Sequence, residues 1–395
     1  MELVFQLLEL GLGLLENNSK FSTIFIVGLL NATAVNVGFS LISMYAELYF
    51  HAPKIYIGLL SSIRAFATLL MAVPLGILSD RWGRKPVVTL SLLLGLTSLT
   101  TLFVAQDISM LAVSTLAGGV MWAAFGPSMQ ALIADISSPA NAGKLVGLYT
   151  IAPSVGMFLA PMIGSLLLGL MTMRDIFLLA SMISIIAVGL CVVGIKAPRR
   201  SFSTTGTLEG LWNVVKNRAV VTMCFAISTF FFLNEPVYTF YPVYALETLH
   251  LQPAVISAVL TARSLAMVLS RVISVANIVD KVGEKKMILT ALSSLSTLVL
   301  MLFARDSITS AILLILTGAV HGIIYPMGAM MVAKTTTVKE KGVANAFYMM
   351  LTNTATAIGP MVAGAMTNFL GLAEIFALLP IFTTIGAIMT LLFVK

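Results

Sequence analysis

The sequence predicts an all-α integral membrane protein, with twelve transmembrane helices in two pseudo-symmetric six-helix bundles. Three observations predict it. Hydrophobic residues make up 59% of the 395-residue chain and charged residues only 10%, whereas a soluble domain carries about 25% charged residues to cover its surface. The apolar residues fall in long runs separated by short charged clusters, and each run approaches the ~20 residues that cross a bilayer as a helix. The second half of the chain also repeats landmarks of the first.

The apolar runs lie near 21–45, 55–78, 87–105, 108–134, 144–169 and 175–195, and then near 219–243, 254–276, 287–304, 307–333, 343–369 and 373–394. They define an N-terminal half at 21–195 and a C-terminal half at 219–395. Residues 196–218 form the longest polar stretch and act as a linker. Within it, Leu208, Leu211, Trp212 and Val215 keep amphipathic helical spacing, which predicts a surface helix. Residues 1–20 precede the first run. Their acidic residues Glu2, Glu9 and Glu16 recur every seventh position and so fall on one stripe of an interfacial amphipathic helix. Residues 1–15 carry no cationic start, so a cleavable signal is not expected there.

Charge placement sets the expected topology. The net charge of +7 does not indicate nucleic-acid binding, because most of the 23 lysines and arginines sit between the apolar runs rather than on one face. With both termini cytoplasmic, nearly all of them fall on the cytoplasmic side. Only Lys54, Arg174 and Arg305 face outward, and Arg64, Arg263 and Arg271 lie within runs. That asymmetry is the one that orients membrane proteins. Cys191 and Cys224 both fall in apolar runs and form no disulfide framework.

The repeat runs at a nearly constant offset of about 200 residues, the signature of parallel halves related by an axis along the membrane normal. Pro53 answers Pro253, Arg64 answers Arg263, and Asp80, Gly83 and Lys85 answer Asp280, Gly283 and Lys285. Pro127 answers Pro326, Tyr149 answers Tyr348, and Pro161 answers Pro360. This architecture places a site near the midplane between the halves and moves one half against the other.

The loop after the second run carries Gly76, Asp80, Arg81, Gly83, Arg84 and Lys85, with a degraded copy at Asp280, Gly283 and Lys285. This pattern of Gly, three residues, Asp-Arg, one residue, Gly-Arg-Lys resembles the hallmark loop of the major facilitator superfamily. The resemblance covers nearly the whole chain and implies secondary transport by alternating access, with this loop bracing the halves in one access state. Chemically, a glycine permits close approach or a turn. Asp80 can accept bonds from the free N–H groups of a helix N-terminus, and Arg84 and Lys85 can meet Asp135 at the end of the fourth run. Lys334 stands where Asp135 stands in the first half, so the second half is expected to carry a latch of inverted polarity. In the fifth run, Gly156, Pro161 and Gly164 are similar to the motif of proton-coupled drug antiporters. Ala160 and Ser165 replace two of its glycines, and small residues there serve equally for close packing. Thr115 or Ser114 occupies the place where those antiporters carry an arginine.

Ionisable groups inside a span are costly and mark function. Glu235 precedes Pro236 in the seventh run, about 22 Å along a helix rising from Val220. Its repeat partner is Asn36. The resemblance implies that the first and seventh helices line the central cavity, which makes Glu235 the expected proton- or cation-contacting group. Arg64 and Arg263 each lie about 13 Å deep. They form either an anion clamp between the halves or, alternatively, an Arg263–Glu235 salt bridge with Arg64 snorkelling. His321 could shuttle protons or could simply be a packed histidine. Trp122, Tyr325, Tyr238 and Phe39 are candidates for an aromatic cavity wall.

These readings lead to proton-coupled efflux of a small amphipathic or drug-like solute from a monomer in the cell membrane. The alternatives are import or exchange of a small organic anion, or a receptor or scaffold that does not transport. An enzyme is not expected, since the chain has no phosphate-cradling glycine loop. Only His321 of its three histidines falls within a run, so no metal site or cofactor is expected either.

Overall fold

The structure is a computed structural model, and it describes residues 19–137, 141–195, 214–273, 284–295, 306–335 and 341–393. The N-terminal segment 1–18 and most of the linker lie outside the described residues, and no strand occurs among those described.

The first half contains α1 (Ser19–Phe50), α2 (Lys54–Trp82), α3 (Arg84–Val104), α4 (Ile108–Ile136), α5 (Ala142–Tyr149), α6 (Ile151–Leu167) and α7 (Met173–Gly194). The second contains α8 (Arg218–Glu247), α9 (Pro253–Ile273), α10 (Glu284–Ser294), α11 (Ser307–Thr335), α12 (Lys341–Met366), α13 (Leu372–Leu378) and α14 (Pro380–Phe393). Among the described residues, ten helical stretches are long and apolar enough to cross a membrane. The fifth combines α5 and α6, and the last combines α13 and α14. The remaining two of the twelve expected runs correspond to α10, which covers the start of the ninth, and α12. In α12 the apolar pattern is broken by Asn345, Thr352, Asn353, Thr354 and Thr356. Hydroxyls in the spans bond back to their own helix, as Ser62 Oγ does to the Gly58 carbonyl at 3.0 Å and Ser228 Oγ to the Cys224 carbonyl at 2.7 Å. That internal satisfaction is what lets serine and threonine sit in hydrocarbon.

Two compact units emerge. The first comprises Met1–Ser40, Leu70–Ile163 and Leu170–Ser203, and within it α3 packs on α4 and α7. The second comprises Leu41–Leu69, Gly164–Gly169 and Thr204–Lys395, and within it α8 packs on α11, α12 and α14, while α9 packs on α11. Packing therefore divides the chain differently from chain order. The stretches 41–69 and 164–169 belong to the first six runs in sequence but pack with the second set. Glycine explains part of this. A Cβ on Gly58 of α2 would collide with the Pro360 carbonyl of α12, and one on Gly364 of α12 would lie 3.0 Å from the Lys54 carbonyl.

The repeat recurs in the caps. His51 after α1 (φ 46°) and His250 after α8 (φ 52°) are left-handed residues, each within a six-to-one closure from Ala52 N to the Ala46 carbonyl and from Leu251 N to the Ala245 carbonyl. Asp107 caps α4 by accepting from Ser109 and Met110 N–H, and Asp306 caps α11 by accepting from Thr309 N–H. The Ser109 hydroxyl and the Met110 N–H hold the Asp107 carboxyl below the usual range. Thr309 does the same for Asp306.

Candidate functional site

The hallmark loop forms a charge cluster in the first unit. Gly83 is the N-cap of α3 at φ 98°, a conformation that side chains resist, so this glycine makes the turn. Gly76 does not provide close approach, because nothing lies within 4 Å of where its Cβ would be. The turn places Arg84 beside three acceptors. It ion-pairs with Asp80 one turn earlier, its Nε lies 3.6 Å from Asp135 Oδ2, and it donates to Ser79 Oγ at 3.3 Å. Ser128 Oγ of α4 donates to the same Ser79 Oγ at 3.0 Å. The partner of Asp80 is thus a guanidinium rather than helix N–H groups. Arg84 meets Asp135, and Arg81 is exposed. Lys85 Nζ donates to the Val192 carbonyl at 2.7 Å, in the last turn of α7, where a cation meets the negative end of a helix. The second-half counterparts Asp280 and Gly283 lie outside the described residues, as does the side chain of Lys334.

Because Asp80 shares Arg84 with Asp135, Asp80→Asn should leave a folded protein with impaired transport. A half-exposed pair of this kind contributes on the order of 1 kcal/mol. The expected result is therefore an elution profile matching the parent and a several-fold lower transport rate. Parental transport would show that the pair is incidental.

The second unit holds the intramembrane charges. Glu235 of α8 pairs with Arg64 of α2, Oε2 to a terminal nitrogen at 3.7 Å. Arg263 of α9 instead takes neutral partners. Its Nε donates to Thr317 Oγ1 at 3.3 Å, a terminal nitrogen donates to Asn234 Oδ1 at 2.9 Å, and its guanidinium lies 5.0 Å from the Tyr238 ring centre. Arg263 is only 3% exposed. The alternative pairing of Arg263 with Glu235 is therefore corrected. Consecutive side chains on α8 serve different arginines, Asn234 the buried one and Glu235 the one on α2. Arg263 is held where it is because Gly318 of α11 abuts its backbone and lies beside its Cγ. Along the same seam, Ser61 Oγ lies 2.9 Å from Thr239 Oγ1, and Lys54 Nζ lies 2.6 Å from Glu247 Oε1.

The other candidates fall elsewhere. His321 packs its ring 5.6 and 5.7 Å from Phe230 and Phe231. Tyr325 lies on α11, its side chain outside the described residues. Asn36 and Trp122 belong to the first unit. Asn36 Nδ2 donates to the Ala32 carbonyl at 2.6 Å, and the buried Trp122 Nε1 has no acceptor among the described residues. In the fifth-run motif, a Cβ on Gly156 would lie 2.6 Å from Ala32 Cβ and 2.7 Å from Thr33 N, so this glycine seats α6 against α1. Pro161 is buried within α6. A Cβ on Gly164 would lie 3.2 Å from Ser257 Oγ. Thr115 Oγ1 bonds back to the Ala112 carbonyl at 2.9 Å. Ser61, Thr239, Lys54, Glu247, Asn234, Ser79 and Ser128 were not among the expected site residues. The available signal was helical spacing, since Lys54, Gly58, Ser61 and Arg64 recur along one face of α2.

An all-helical fold of membrane-crossing helices with paired charges inside its spans defines a multi-pass membrane transporter. The Major Facilitator Superfamily model matches residues 24–258 and again 223–395, and the chain belongs to that superfamily. It is 28% identical over 279 residues to Multidrug resistance protein 2 of Bacillus subtilis, covering 67% of this chain and 69% of that protein. It is 24% identical over 322 residues to the Quinolone resistance protein NorA of Staphylococcus aureus, covering 78% and 80%. The crystal structure of a point mutant of the nucleoside transporter NupG superposes with a TM-score of 0.80 at 15% identity, covering 96% of this chain and all of that one.

Proposed function

We propose that the chain exports small amphipathic, drug-like solutes in exchange for protons, with Glu235 as the group that takes up the proton. The observation that carries this reading is a carboxylate inside a span, paired to a guanidinium on another helix at 3.7 Å. Such a group can be neutralised by a proton or reached by a solute, and so can link the two. Pro236 follows it and cannot donate to the Phe232 carbonyl, a local weak point in α8. Gly359 of α12 fits against that carbonyl. The names of the two drug-resistance relatives support export.

In this reading the protein works as a monomer in the cell membrane with both termini cytoplasmic. The Asp80–Asp135 cluster braces the cytoplasmic end, and the His51 end faces outward. Ser203→Cys, in the linker, should resist an impermeant thiol reagent applied to intact cells and react after permeabilisation. Labelling from outside would invert the topology.

A second reading, import or exchange of a small organic anion, is favoured by Arg263, a buried cation whose hydrogen-bond partners among the described residues are neutral. Everted vesicles separate the two. Export predicts that an acid-inside gradient drives accumulation of an amphipathic dye and that collapsing the gradient releases it. Gradient-independent dye behaviour, together with uptake of an anionic solute into right-side-out vesicles, would favour the second reading.

A further inference from the structure

We propose that Arg64 is the resident counter-charge that holds the outer seam of the unloaded carrier shut, and that a proton arriving at Glu235 releases it. The inference rests on the reading of Glu235 as the coupling carboxyl and on the proposed orientation.

The geometry is a ladder. The helices α2 and α8 run antiparallel, and their polar side chains meet in matched register: Lys54 with Glu247, Ser61 with Thr239, Arg64 with Glu235. The last rung lies about 15 Å along α2 from the first. Between the rungs the contacts are apolar or backbone. Gly58 abuts the Pro360 carbonyl, a Cβ there would lie 3.2 Å from the Phe240 ring, and Gly364 sits against Lys54 and Ile55. Such contacts need no polar partner when they part. The rungs do, and of the two charged rungs the innermost has the less exposed carboxylate. Lys54 and Glu247 are 29% and 37% exposed, so water replaces their pairing readily, whereas Glu235 is only 15% exposed. Breaking a charge pair in such surroundings leaves an uncompensated ion, which is costly. A proton on Glu235 Oε2 removes the cost by neutralising the carboxylate, and Arg64 keeps its own proton and turns to water.

The surrounding charges leave this role to Arg64. From α9, Arg263 is committed to Asn234, Thr317 and Tyr238, and Arg271 lies further along the same helix. From α11, His321 packs against Phe230 and Phe231. At the rim stand Glu47 and His51 beside Lys54 and Glu247. Arg263 also feels the charge of Glu235, but its hydrogen bonds go to Asn234 and Thr317, whereas the ion pair of Glu235 is made with Arg64. Without proton or solute, the ion pair blocks outward opening of the empty carrier, which would otherwise let protons leak.

Spin labels at the exposed rim positions Tyr56→Cys on α2 and Val255→Cys on α9 test this. The parent is the full chain in lipid nanodiscs with the buried Cys191 and Cys224 replaced. It should show one short separation at neutral pH and a second, longer population on acidification. Arg64→Gln and Glu235→Gln should show the longer population at both pH values. Arg64→Lys should restore the pH response, and Lys54→Gln should leave it unchanged. A parental response in Arg64→Gln, or loss of the response in Lys54→Gln, would overturn the proposal. If Glu235→Gln still transports on a pH gradient, the coupling reading itself fails. If it loses coupling while the separations stay parental, this inference alone fails.

Discussion

Glu235→Gln is expected to reduce pH-gradient-driven transport to the level of empty vesicles while leaving solute binding or passive exchange in part. Glutamine keeps the volume and hydrogen-bonding capacity of a protonated carboxyl but cannot lose a proton. A carrier so fixed can still close around a solute, yet it has nothing to exchange. Arg64 loses its counter-charge in the same step, so the variant should also favour separation of α2 from α8. Unchanged gradient-driven transport would show that the pair is structural and would pass the coupling role to Arg263 or His321.

Gly318→Val is expected to give little or no folded protein. A Cβ at 318 would overlap the Arg263 carbonyl and lie 2.8 Å from its Cγ. Neither can retreat, because the carbonyl belongs to α9 and the guanidinium is fixed by Asn234 and Thr317. Overpacking of a dense interior costs about 1–3 kcal/mol where side chains can give way, and more where the obstacle is backbone. Gly189→Val on α7 is the control, since nothing lies within 4 Å of its would-be Cβ. Fluorescence-detected size exclusion should show loss of the monodisperse peak for Gly318→Val and a parental peak for Gly189→Val. A parental monodisperse peak for Gly318→Val would mean that α9 and α11 can move apart without penalty.

Much of the architecture could be read from the chain, because membrane helices must bury their backbone polar groups within themselves and so appear as long apolar runs. Loop cations oriented the expected topology, and landmark residues exposed the repeat. The site was less legible. Arg64, Glu235 and Arg263 stood out as charges in apolar runs, but which arginine meets the carboxylate depends on the rotation of α8, and nothing in one dimension says that Asn234 and Glu235 point to different helices. The glycines of the hallmark loop look alike in sequence, yet Gly83 needs its positive φ and Gly76 touches nothing. The division of the chain into packed units was illegible for a similar reason. Contacts such as Gly58 with Pro360 depend on which ends of the helices are together.

Proton movement measured directly during transport tests the central claim most sharply. With the purified chain in liposomes containing a pH-sensitive dye, an imposed gradient of an amphipathic solute should drive protons in the opposite direction, and Glu235→Gln should abolish that flux while solute still equilibrates. Solute transport by the parent with no accompanying proton flux, or proton flux that persists in Glu235→Gln, would contradict the account.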